Sequence, residues 1–206
     1  LILASMLGVI LGGRIGYMIF YNLHYYFTNP AKIIAVWEGG MSFHGGLIGV
    51  AIGVLWFSKK YRTSYLKLGD IITRIAPVGL FLTKIGNFIN AELYGRIATQ
   101  FCLYFPSDPQ NCRYPSQLLE ALLEGVVLFF ILAFIAHKNK KPGVITAAFL
   151  ILYGIFRIIA EFFREPDAHI GFLFDFITEG QLLSGLMILS GVTLWTQLKQ
   201  KKPIML

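Results

Sequence analysis

The sequence predicts an all-α protein, a polytopic bundle of membrane helices with six spans, and three observations carry that prediction. Hydrophobic residues fill 56% of its 206 positions and charged residues only 14%, where a soluble globular chain is about a quarter charged. Apolar runs close to the length of a bilayer-crossing helix recur along the chain. The lysines gather in short connections between those runs. That clustering ascribes the formal net charge of +7 to membrane topology and argues against nucleic-acid binding.

The first run covers Leu1 to Phe20 and opens as "LILASMLGVILGG". No charged segment precedes it, so it does not read as a signal peptide, and a further helix is expected ahead of it. Gly8, Gly12 and Gly16 recur every four residues and give this run a small-residue face suited to close packing. Gly45, Gly49 and Gly53 repeat the spacing in the second run, Phe43 to Phe57. The third run extends from Ile71 to Phe88, the fourth from Gln117 to Ala136, the fifth from Val144 to Phe163 and the sixth from Gln181 to Trp195. The second and sixth are short, which implies little tilt or an interruption. With no low-complexity linker, residues 1–206 are expected to form one integral-membrane domain.

Charge orients the bundle. Lys59, Lys60, Arg62 and Lys67 follow the second run, Lys138, Lys140 and Lys141 follow the fourth, and Lys199, Lys201 and Lys202 follow the sixth. If the spans alternate, these segments share one side, which the positive-inside rule makes cytoplasmic. Residues 21–42, 89–116 and 164–180 then face outward, the last with Glu165, Asp167, Asp175 and Glu179. Cys102 and Cys112 share the second outward connection. An oxidising exterior permits a disulfide there, but spacing alone leaves a bridge and two thiols both open.

Ionisable groups inside spans are costly and mark candidate sites. Arg14 lies deep in the first run. His44, in "FHGGLIG", stands at the outer mouth of the second. A lone histidine there is ordinarily an interfacial hydrogen-bonder, yet its near-neutral pKa also suits a general base. The third run ends in "KIGNFINAELYGR", with Lys84, Asn87, Asn90, Glu92 and Arg96. A helix terminus explains Arg96; Lys84, about a turn inside, either snorkels or faces a cavity. Gln117, Glu120 and Glu124 share one face of the fourth run. In the fifth, Tyr153, Arg157, Glu161 and Arg164 form a stripe on which Arg157 and Glu161 can pair. Arg14, His44, Lys84, Asn87, Glu92, Arg157, Glu161 and Arg164 all fall in the outward half. The fixed cations among them exceed what the neighbouring carboxylates need, and such a cluster suits a phosphate-bearing lipid headgroup. No His/Cys/carboxylate set has metal-ligand spacing, so neither metal nor other cofactor is expected.

Five segments, "GGRIGYMIFYN", "FHGGLIG", "IGNFINAELYGR", "YPSQLLEALLEG" and "YGIFRIIAEFFREPD" followed by "GQLLS", together resemble the bacterial prolipoprotein diacylglyceryl transferases, in that family's order. The resemblance implies transfer of the diacylglyceryl group of phosphatidylglycerol to the lipobox cysteine thiol of a prolipoprotein signal peptide. A thioether forms and glycerol phosphate leaves, as the first step of lipoprotein maturation. It also implies the bacterial inner membrane as location, an active site toward its outer face, and a further N-terminal helix.

By the same resemblance His44, Glu92, Arg157 and Glu161 are the catalytic candidates. Lys84, Asn87, Arg14, Tyr17, Tyr153 and Arg164 are the substrate-binding ones. The family usually has an arginine, thought to hold the headgroup, where this chain has Lys84; lysine keeps the charge and loses the bidentate fork. A thiol with a free pKa near 8.5 needs a base, for which His44 ranks first and Glu92 second, while Glu161 orients Arg157. An anion transporter built on the same cations, or a lipid-binding homologue impaired in catalysis, is the competing expectation. Transporters often show paired halves, and this chain has no convincing internal repeat.

Overall fold

The computed structural model describes residues 1–200 apart from 22, 36, 38, 166–171 and 174–176, with backbone alone at 20, 21, 43, 44, 172, 173 and 179. Lys201, Lys202, Asp167 and Asp175 of the charge pattern thus lie outside the described residues, as does the side chain of Glu179. Helices form at all six expected positions: α1 (Ile2–Tyr21), α3 (Phe43–Lys60), α4 (Tyr65–Ile89), the helical stretch Ser116–Lys138, α7 (Val144–Glu161) and α8 (Glu179–Gln200). A short α2 (Leu23–Thr28) follows α1.

Four of these helices are long and apolar enough to cross a membrane: Ile2–Ile19, Ser116–Lys138, Val144–Glu161 and Gly180–Gln200. The protein is therefore a mostly helical membrane protein. α3 and α4 are not among the four, and α4 carries Lys67, Asp70, Arg74 and Lys84 along its length. The expected brevity of the last run is corrected, since α8 has 22 residues. Its start is fixed by a reciprocal cap in which Thr178 N donates to Gln181 Oε1 at 3.1 Å and Gln181 N to Thr178 Oγ1 at 3.2 Å.

The chain divides into two compact units, Leu1–Leu68 and Gly69–Leu206. In the first, the two glycine faces meet. A Cβ built on Gly12 would stand 2.8 Å from Gly49 Cα, and one on Gly16 would stand 2.7 Å from Gly45 Cα. Such contacts are far inside van der Waals separation, so only glycine lets α1 and α3 lie backbone to backbone. Ser42 opens α3 by accepting from Gly45 N at 3.3 Å, and its own N–H donates to Gly13 O at 2.8 Å.

In the second unit, α4 is followed by a small hairpin of β1 (Leu103–Phe105) and β2 (Asp108–Arg113). The stretch Ser116–Lys138 then begins as α5 (Ser116–Glu120), passes through a π-helical turn over Ala121–Val127 and continues as α6 (Leu128–Lys138). Leu128, Leu132, Ala148 and Tyr153 form the buried core between α6 and α7. Asp70, on α4, caps α7 from outside the helix. Its carboxylate accepts from Gly143 N at 2.7 Å, Thr146 N at 2.8 Å and Thr146 Oγ1 at 2.8 Å, which satisfies amides that a helix start otherwise leaves unpaired. A last strand pair, β3 (Phe172–Leu173) with β4 (Ile177–Thr178), leads into α8.

Candidate active site

The polar residues of the second unit converge where α4, α5, the π turn and α7 present Lys84, Glu120, Glu124, Arg157 and Glu161. Glu120 is 1% exposed, and its Oε2 accepts from both Lys84 Nζ and Arg157 NH1, the latter at 2.7 Å. Arg157 NH2 lies 2.8 Å from Glu161 Oε2, the pair expected from their helical spacing. Glu124 is 0% exposed; its Oε1 lies 3.7 Å from Arg157 NH1, and neither of its oxygens has a hydrogen bond. Glu161 also lies against the start of α8, where a Cβ on Gly180 would stand 2.9 Å from its carboxylate. Tyr153 is buried one turn before Arg157, its ring stacked on Phe149 at 5.5 Å.

Lys84 and Arg157 face three carboxylates, and the charge of Arg164 also acts on Glu120. Single-chain spacing did put Gln117, Glu120 and Glu124 on one face, but not opposite both cations.

Arg14, in the first unit, is 4% exposed and its guanidinium is taken up by main-chain carbonyls. Nε donates to Ile33 O at 3.0 Å, NH1 to Gly39 O at 2.5 Å and Gly40 O at 3.2 Å, and NH2 to Lys32 O at 2.5 Å. Its carbon sits 5.1 Å from the Tyr26 ring centroid, and Tyr17 meets Tyr26 edge to face at 6.5 Å. Gly39 and Gly40 have φ of +85° and +75°, which only glycine takes without strain; at those angles both carbonyls reach the arginine. Arg14 thus ties the segment after α2 to α1. His44 is the second residue of α3, and its side chain, that of the expected base, lies outside the described residues.

The stretch "GNFINAELYGR" ends α4 and threads between two other segments. Glu92 N donates to Asn87 O at 2.8 Å, and Gln117 Nε2 donates to Glu92 O at 2.7 Å, leaving the Glu92 carboxylate exposed. Ala91 and Leu93 take φ of +54° and +53°, a strained choice for residues with a side chain. Gly95 N then donates to Tyr114 O at 2.8 Å and Arg96 N to Phe163 O at 2.9 Å. Arg96 Nε donates to Arg164 O at 3.0 Å. Arg164 lies just beyond the end of α7, in a backbone bridge with Gly95, and its charge acts on Glu120 and Tyr153.

Arg113 braces the same region. It donates to Asp108 through Nε and to Gly95 O and Glu165 Oε2 through NH1, both at 3.3 Å, and it covers the Tyr94 ring at 4.8 Å. The Arg113 guanidinium holds the Asp108 carboxyl below its ordinary value of 3.8. The adjacent Cys112 is bridged to Cys102 with a Cα–Cα distance of 5.3 Å, closing the alternative that spacing left open. Arg113 and Asp70 were not legible as important positions, since each acts through partners far along the chain. Among the described residues, no group of three or more His, Cys, Asp or Glu could hold a metal ion.

Residues 1–197 match a family model described as prolipoprotein diacylglyceryl transferase. A protein of Azospirillum brasilense is 52% identical over 203 residues, covering 96% of this chain and 76% of the relative. One of Rickettsia bellii (strain OSU 85-389) is 50% identical over 194 residues, 92% of this chain and 74% of the relative. One of Geobacter sulfurreducens is 48% identical over 202 residues, 98% and 78% respectively. All three relatives are named phosphatidylglycerol–prolipoprotein diacylglyceryl transferase.

Proposed function

Because this chain belongs to the prolipoprotein diacylglyceryl transferase family, we propose that it transfers the diacylglyceryl group of phosphatidylglycerol to the lipobox cysteine of prolipoproteins. The match across residues 1–197 carries this reading. The buried Lys84–Glu120–Arg157 cluster supports it chemically, since two cations on neighbouring helices can receive a phosphate.

In this reaction the cysteine sulfur attacks the glyceryl carbon that bears the phosphate. A carbon–sulfur bond forms, the carbon–oxygen bond breaks, and glycerol phosphate leaves with the electron pair. Lys84 and Arg157 stabilise the charge that grows on the departing phosphate. Glu161, 2.8 Å from Arg157 NH2 and seated against Gly180, sets the direction of that guanidinium. His44 takes the thiol proton, with Glu92 as the second choice. Asn87, Tyr153 and Arg164 belong to the substrate-binding set, as does Tyr17 through its family motif.

The topology completes the reading. Six alternating spans place the lysine-rich connections in the cytoplasm and residues 89–116 and 164–180 outside the inner membrane. The Cys102–Cys112 disulfide supports that orientation, because such bonds persist in oxidising compartments. The test incubates the full chain in detergent with phosphatidylglycerol and a lipobox peptide and follows the peptide by mass spectrometry. A diacylglyceryl adduct is expected on the cysteine peptide and not on its serine counterpart. No adduct from a folded chain, beside an active relative, would refute the assignment. His44→Ala is expected to impair turnover; unchanged turnover removes His44 as the base.

A further inference from the structure

The proposed reaction needs Lys84 and Arg157 as receivers of an anion, yet each already holds one. Both donate to the same oxygen of Glu120, a carboxylate 1% exposed on the helix that faces them. Arg157 also meets Glu161 at 2.8 Å and Glu124 at 3.7 Å. A phosphate entering this cluster would bring a further negative charge among three carboxylates, where repulsion is screened far less than in water. Its binding free energy is therefore a difference. The charge-assisted bonds it makes to Lys84 and Arg157 replace those the two cations give up to Glu120. No other carboxylate among the described residues has an ion pair to both cations.

We propose that Glu120 is the resident counter-anion of the headgroup site, a specificity-determining residue that holds Lys84 and Arg157 when no lipid is bound and competes with the lipid phosphate for them. The inference rests on the headgroup reading above. Glu120 makes the empty pair of cations tolerable in a buried place. It also sets a threshold that a ligand without an anionic phosphate cannot cross.

The sign of one measurement decides it. Fluorescent phosphatidylglycerol is titrated into the full chain in detergent, with diacylglycerol carrying the same fluorophore as the headgroup-free control. Glu120→Gln removes the competing charge and keeps the shape, so the Kd for phosphatidylglycerol is expected to fall about tenfold while that for diacylglycerol stays put. The KM for phosphatidylglycerol should fall with it, with no matching rise in kcat. If Glu120 is instead a strut that aims the cations, Glu120→Gln binds phosphatidylglycerol equally or more weakly, and the proposal is overturned. Should the glutamine chain not be recovered folded, Glu120→Asp carries the test. Its carboxylate, one methylene shorter, cannot span both cations, so a smaller tightening is expected, and unchanged or weaker binding overturns the proposal. A parent chain that does not distinguish phosphatidylglycerol from diacylglycerol refutes the headgroup reading itself, a separate failure.

Discussion

Replacing Asp70 with alanine removes one small side chain and three hydrogen bonds at the start of α7. The carboxylate accepts from Gly143 N, Thr146 N and Thr146 Oγ1, all within 2.8 Å. Loss of a helix cap alone costs about 0.5–2 kcal/mol. Here two backbone N–H groups lose their acceptor together, each worth about 1–3 kcal/mol where water cannot replace it. The site is only part-buried, so water recovers a share, and Asp70→Ala is expected to destabilise the second unit by about 2–4 kcal/mol. Asp70→Asn keeps one acceptor but loses the charge that favours a helix N-terminus, for about 1–2 kcal/mol. The assay is reversible unfolding in detergent followed by circular dichroism, with hydrogen exchange read over residues 143–148. An Asp70→Ala chain within about 0.5 kcal/mol of the parent, with unchanged exchange, would refute the reasoning.

Three other outcomes are expected. Arg157→Lys loses the fork that serves Glu120 and Glu161 together, so the rate of adduct formation should drop about tenfold or more; an unchanged rate would show that charge alone suffices. Cys102→Ser with Cys112→Ser opens a loop with a sequence separation of 10, which should cost the hairpin about 2–3 kcal/mol, read as faster hydrogen exchange over 103–113. Asp108 is held below its ordinary value of 3.8 by Arg113. Its folded carboxyl is the stronger acid, so its stabilising contribution is present above pH 3.8 and is lost as pH falls through the lower folded value. Hairpin protection should then decline only below that pH, and Asp108→Asn should abolish the decline.

Helices and their faces were legible because apolar runs and fixed spacings are local properties of the chain. Gly8, Gly12 and Gly16 announced a packing face, and Arg157 and Glu161 announced a pair. The partners of a charge are not local. Glu120 reads as one carboxylate on a helix until α4 and α7 bring Lys84 and Arg157 to the same oxygen. Arg14 reads as a cation awaiting an anion because its acceptors are main-chain carbonyls of a 3-10 turn over Pro30–Ile34 and of the glycine pair after it, which no side-chain pattern marks. Arg164 kept helical spacing with Glu161, but the chain leaves the helix before reaching it. Asp70 sits in a run of lysines that reads as topology, and its role as a cap depends on Gly143 and Thr146, more than seventy residues away.

The glycine contact between α1 and α3 also bears on traffic. Where a single added Cβ would stand 2.7–2.8 Å from the opposite backbone, there is no slot for an acyl chain, whose carbons need about 3.5–4.0 Å of clearance from every neighbour. A two-tailed lipid cannot slip between these two helices, and neither can the diacylglyceryl product on its way out. That seam is a closed wall, so any lateral gate for substrate and product must open along another pair of helices.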